Sequence, residues 1–151
     1  LKSEIGGVTV ALLDKAIASY QAFFENLTDE TVEDMRILAT PHVRYRDPTM
    51  DSKGIDAVTA SMHKWFRDLD GIQFRITGGA VDGLVLYSHW IMTFRIRKLP
   101  KRLWELEGLS KITFDENGKI SDQIDYWDTS PMLESVPVLG KIVTLLKKFF
   151  S

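Results

Sequence analysis

The chain predicts an α+β domain in which helices come first and an antiparallel sheet follows. Three observations carry this. Apolar residues recur at helical spacing up to about residue 39 and again from 55 to 69; the period changes to two from Ile72 onward; and short turn signals separate the strands that result. Acidic residues at the ends of aromatic strands, in Tyr45-Arg46-Asp47-Pro48 and Asp125-Tyr126-Trp127-Asp128, suggest carboxylates held at the mouth of a cone-shaped pocket.

The first helix follows from Leu13, Ala16, Ile17, Tyr20, Phe23, Phe24 and Leu27, one stripe at i, i+3, i+4, i+7 spacing. Thr28 or Asp29 then caps a second helix whose first turn is acidic, favourable against the helix dipole, and which runs to about Ala39 before Pro41 stops it. Residues 42–47 alternate. Val43, Tyr45 and Asp47 share the inner face of a strand, and His42, Arg44 and Arg46 the outer one. A third helix carries Ile55, Val58, Met62, Trp65, Phe66 and Leu69, with Gly71 placed to cap it and His63 off the stripe in solvent.

Strands are expected near 72–77, 84–97, 103–114 and 119–128, joined in a meander. In the long second strand, Leu84, Leu86, Ser88, Trp90, Met92, Phe94 and Ile96 form the core face. Asn117-Gly118 predicts a two-residue type I′ hairpin, and counting back sets Glu116 opposite Lys119, Ile112 opposite Gln123, Ser110 opposite Asp125 and Gly108 opposite Trp127. Asp125 then lies on an apolar face, where an unpaired charge is costly, so a hydrogen-bond partner or a wet cavity must meet it. A tail helix over 136–150 carries Leu139, Ile142, Val143, Leu146, Phe149 and Phe150 on one stripe and lysines off it. Docking of that stripe onto protein is expected rather than a membrane surface.

Composition narrows the function classes. A length of 151 residues with 44% hydrophobic content fits one domain, 1–151, with its core at 8–130. A net charge of −2 gives no basic field for nucleic acid. The chain has no cysteine, which removes disulfides and thiolate chemistry and fits a reducing, cytoplasmic setting. No apolar run approaches the roughly 18 residues of a membrane span. The chain starts at Leu1 rather than Met, so a removed leader stays open. His42, His63 and His89 lack the spacing of a metal site.

The element order, Tyr45-Arg46-Asp47-Pro48 followed by Gly54, and Phe114-Asp115-Glu116-Asn117-Gly118-Lys119-Ile120 with Asp125-Tyr126-Trp127-Asp128 together resemble the nuclear transport factor 2-like superfamily. Its SnoaL-like and ketosteroid-isomerase-like branches are the nearest, over roughly residues 8 to 130. The resemblance implies a cystatin-like fold, a curved antiparallel sheet wrapped around a long helix into a cone, commonly dimerised through the sheets. By the same resemblance Asp47 takes the place of the isomerases' general base and Tyr20 that of their oxyanion-binding tyrosine, while their protonated aspartate is replaced by Ser110. Asp125 resembles an aspartate of the limonene epoxide hydrolases, whose Arg and second Asp have no counterpart in Tyr87-Ser88-His89-Trp90.

These readings converge on a pocket for a small apolar molecule, lined by Tyr45, Trp90, Ser110 and Trp127, with Asp47, Tyr20 and Asp125 as candidate catalytic groups and no cofactor required. Isomerisation, dehydration or cyclisation of a carbonyl compound is the leading function, and a non-catalytic dimeric binding module the alternative. Each group also has a plain structural reading. Asp47 before Pro48 suits a turn, Tyr20 suits a core whose hydroxyl finds a partner, and Asp125 suits hydrogen bonding to Ser110 or Tyr20. A homodimer through the outer sheet face is expected from Tyr87, Ile91, Leu109, Ile124 and Tyr126.

Overall fold

A computed structural model describes residues 4–5, 8–135 and 137–150. Two short strands, β1 (Glu4–Ile5) and β2 (Val8–Thr9), pair and lead into α1 (Val10–Glu25). Thr9 caps that helix, its hydroxyl accepting the Leu12 amide at 3.2 Å. Leu13, Tyr20, Phe23 and Phe24 are buried on the expected stripe. The single second helix of the sequence reading is instead a 3₁₀ turn, Asp29–Asp34, followed by the one-turn α2 (Met35–Leu38). Thr28 and Thr31 start it with a reciprocal side-chain cap. α2 ends at Leu38 with Ala39 as its C-cap, as expected ahead of Pro41, and β3 (Ala39–Asp47) follows directly.

β4 (Met50–Lys53) folds back on β3, and α3 (Ile55–Asp68) buries Val58, Thr59 and Met62. Leu69 terminates α3, and Gly71 falls within the next strand rather than capping the helix. His63 is not left in solvent. Its ring nitrogens meet Asp29 Oδ1 at 2.6 Å and Glu33 Oε1 at 3.1 Å, tying α3 to the 3₁₀ turn and raising the imidazole pKa through those bonds.

The strands β5 (Leu69–Asp82), β6 (Val85–Ile96), β7 (Leu99–Phe114) and β8 (Ile120–Trp127) complete a curved six-stranded sheet of order β4-β3-β8-β7-β6-β5. The sheet is mixed rather than wholly antiparallel, since β3 and β8 run parallel. The meander reverses direction three times between β5 and β8 and so delivers β8 alongside β3 in the same sense. Along β6 the inner residues are those expected, with Leu86, Ser88, Trp90, Met92 and Phe94 buried.

The turn before β8 differs from the expected hairpin while the register beyond it does not. Asp115 and Lys119 close the turn, with Asp115 N–H donating to Lys119 O at 2.7 Å, and only Gly118 has positive φ, at 72°. That is a three-residue loop with a glycine in the left-handed region, not a type I′ pair. A bulge between the Thr113–Asp122 and Phe114–Ile120 pairs restores the count, so Ser110 faces Asp125, Ile112 faces Gln123 and Gly108 faces Trp127 as predicted.

After β8, Asp128 accepts the Ser130 amide and hydroxyl, both at 2.8 Å, at the entry to α4 (Ser130–Glu134), whose N-cap is Thr129. Then comes α5 (Pro137–Phe150), the predicted tail helix; Val136, where it was expected to start, lies outside the described residues. α5 packs on α4 at Gly140, where a Cβ would overlap the Glu134 carbonyl, and Lys147 pairs with Glu134 at 2.7 Å. The apolar stripe is not buried on its own domain. Leu139, Ile142 and Leu146 are about half exposed and Phe149 and Phe150 more than 80%.

Candidate active site

The alternation of β6, β7 and β8 sends large side chains to one concave face, and α3 and β3 close over it. Between them is a cavity of about 160 Å³. Its aromatic wall is made by Tyr45, Trp65, Phe74, Trp90, Phe94 and Trp127, with Leu69, Met92, Leu106 and Met132 of α4 filling the gaps. Among the described residues the ionisable carboxyls on the wall are Asp47 and Asp125, and no Lys, Arg or His lines it.

Packing explains why Trp90 lies where it does. Gly108 is its partner on β7, and a Cβ at Gly108 would run into the indole ring. The ring is steered further by an indole N–H donated to Ser110 Oγ at 2.8 Å and by an edge contact with Phe74, centroids 5.8 Å apart. Tyr45 is held likewise by an edge contact with Trp65 at 5.9 Å.

Asp125 is the centre of a buried network. Oδ2 accepts the Tyr45 hydroxyl at 2.5 Å, and Oδ1 accepts Ser110 Oγ at 2.6 Å and Gln123 Nε2 at 3.0 Å. Burial nonetheless pushes its pKa up to about 6, against the pull of those three donors and with help from the nearby charge of Asp47. Tyr45 is driven well above its ordinary value, first by burial and then by the Asp125 charge. The sequence reading therefore placed Asp125 on the right face, and a satisfied carboxylate rather than a wet one is what the fold provides.

Asp47 is half buried at the cavity wall, at the end of β3. Its Oδ1 accepts the Thr49 amide at 2.6 Å, the Thr49 hydroxyl at 2.7 Å and the Met50 amide at 2.9 Å, so it does serve the turn. Among the described residues every hydrogen bond to Asp47 falls on Oδ1. Oδ2 takes none.

Two expected wall residues stand elsewhere. Tyr20 is buried behind Trp90, in a small void with Phe24, Ile76, Ser110 and Gln123, and does not line the main cavity. Its hydroxyl is 3.5 Å from Gln123 Nε2, and burial followed by the charge of Asp125 raises its pKa. Ser110 likewise sits beneath the wall, relaying between Trp90 and Asp125. Tyr45, Trp90 and Trp127 are on the main wall as expected. Gln123 and Trp65 escaped the sequence reading as site residues. Both had a signal: Gln123 is two residues from Asp125 on one strand face, and Trp65 lies on the α3 stripe. Among the described residues no three His, Asp or Glu side chains converge as a metal site, and no helix is long and apolar enough to cross a membrane.

The sequence profile of the SnoaL-like domain matches residues 20–123. No curated protein matches by sequence. Among solved structures, a proposed SnoaL-like polyketide cyclase from Jannaschia sp. CCS1 superposes with a TM-score of 0.71 at 12% identity, covering 83% of this chain and 92% of the other. A limonene-epoxide-hydrolase-like enzyme of M. tuberculosis gives 0.65 at 14% identity, covering 91% and 97%. A ketosteroid isomerase-like protein from Catenulispora acidiphila, in complex with trimethylamine, gives 0.66 at 12% identity, covering 77% and 87%. At these identities the likeness is one of fold.

Proposed function

Because this chain belongs to the SnoaL-like family and has its nuclear transport factor 2-like fold, we propose that the cavity takes a small carbonyl compound and that its two carboxyls move a proton on it, as in isomerisation, dehydration or cyclisation. One observation carries the reading: an aromatic cavity whose wall holds an Asp47 with one oxygen unengaged, together with an Asp125–Tyr45 pair poised to change protonation near pH 6. Asp47 Oδ2 is the base that takes the proton beside the carbonyl. Tyr45 replaces Tyr20 as donor to the developing oxyanion. When Asp125 is protonated it donates to Tyr45 Oη, which frees the phenolic O–H to turn toward the ligand. The proton held by Asp47 then returns to a second carbon or leaves with a departing hydroxyl.

Size limits the ligand. An apolar cavity of roughly 150 Å³ admits benzene, so a cavity of about 160 Å³ fits a single ring or a short chain. The test uses a small cyclic β,γ-unsaturated ketone, with quenching of the cavity tryptophans reporting binding and absorbance of the conjugated product reporting turnover. Asp47→Asn should leave binding intact and slow turnover by about 10²–10⁴. Turnover at the wild-type rate in Asp47→Asn removes the base assignment; the absence of any quenching by ketones removes the ligand class.

A second, non-catalytic reading is favoured by the wall itself. Two carboxyls among aromatic faces with no basic neighbour suit a small organic cation, and trimethylamine is what the Catenulispora protein holds. Trimethylammonium should then quench the same tryptophans, more weakly below pH 6 as Asp125 gains its proton. A neutral ketone binding better than the cation at pH 8 decides against it.

A further inference from the structure

The helix α5 leaves a continuous apolar stripe in solvent. Leu139, Ile142, Leu145 and Leu146 are 45–69% exposed, and Phe149 and Phe150 at its end are 81% and 82% exposed. Exposed large apolar side chains gathered on one face mark a surface that meets something else. The charge pattern says what. α5 contains no acid, and its charged residues are Lys141, Lys147 and Lys148, all exposed. By helical spacing Lys141, Thr144 and Lys148 line the side away from Ile142, Leu146 and Phe149. Over 130–150 the only acid is Glu134, so this segment carries +2 in a chain whose total is −2.

We propose that α5 is a peripheral membrane anchor that lies along a bilayer containing anionic lipid, its Leu and Phe side chains at the acyl boundary and its lysines among the headgroups. Charge favours lipid over another copy of the chain: α5 carries lysines and no acid, which an anionic surface complements and a second, equally basic α5 does not. The helix is also presented rather than folded away: the close α4 contact at Gly140 and the Lys147–Glu134 pair hold its other side, and leave the stripe outward. Met132 of α4 belongs to the cavity wall, so the anchor is joined to the cavity through one short hairpin.

The test floats the full chain with vesicles of phosphatidylcholine alone or with added phosphatidylserine, and needs no cavity ligand, so its outcome is separate from that of the ketone experiment. Binding to the phosphatidylserine vesicles is expected, weakening as salt is raised. K141Q with K148Q should weaken it roughly 30-fold, and L146E with F149E should abolish it while the melting temperature stays unchanged, because those side chains are already exposed. The proposal is overturned if the chain ignores anionic vesicles or if L146E/F149E binds them as well as wild type. It is overturned equally if those substitutions split a dimer into monomers without any vesicle binding, which makes a second copy the occupant.

Discussion

A buried carboxyl that keeps three hydrogen-bond donors has a measurable signature in stability. In the folded chain Asp125 holds its proton up to about pH 6, whereas the unfolded chain releases it near 3.8. Between those values the native state binds more protons, so Asp125 makes stability fall as pH rises through the window, and adds no further slope above it. The whole effect is on the order of 3 kcal/mol. Urea unfolding of wild type minus that of Asp125→Asn should show this fall between pH 4 and 6; a flat difference sinks it. Tyr45→Phe removes a donor that favours the ionised form and should carry the window higher. Asp125 and Tyr45 were legible because strand alternation fixes a face. Tyr20 was not, because a helical stripe says which side is buried and not that Trp90 stands between it and the cavity.

Between elements, the turn before β8 shows how a register can be right for the wrong turn. The Asn-Gly signal predicted two loop residues; the chain uses three, with Gly118 in the left-handed region, and the bulge at Ser121 absorbs the difference. Local propensity marked the place of the reversal, and the need to keep Ile112, Gln123 and Asp125 inward set the count. The strand position of Gly71 escaped for a related reason, since tertiary pairing overrode the local cap signal. Gly108 offers a test at this scale. Alanine in place of glycine ordinarily stabilises a strand by about 0.5–1 kcal/mol, but at Gly108 a Cβ meets the Trp90 indole. Gly108→Ala should therefore destabilise by about 1–3 kcal/mol and alter the near-ultraviolet circular dichroism of the tryptophans. A more stable variant with an unchanged spectrum contradicts the packing described.

For the whole molecule, the outer sheet face remains to be accounted for. Leu109 and Tyr126 are direct cross-strand partners, 38% and 53% exposed, beside half-buried Tyr87, Ile91 and Ile124. A homodimer through this face is predicted, with Tyr126→Lys shifting sedimentation equilibrium toward monomer; a wild-type chain that sediments only at 17.2 kDa speaks against it. The fold class could be read from element order because helix and strand periods differ, while the parallel pairing of β3 with β8 could not, since no turn joins them. That pairing has a consequence for how the chain is made. Tyr45 and Asp125 are 80 positions apart, and β3 has only the short β4 beside it until the last strand has left the ribosome. The site is thus assembled by the slowest kind of contact, a long loop closure that must be completed before it is rewarded. A nascent chain that ends at β7 still leaves the β8-facing edge of β3 unpaired, and is the species most in need of a chaperone.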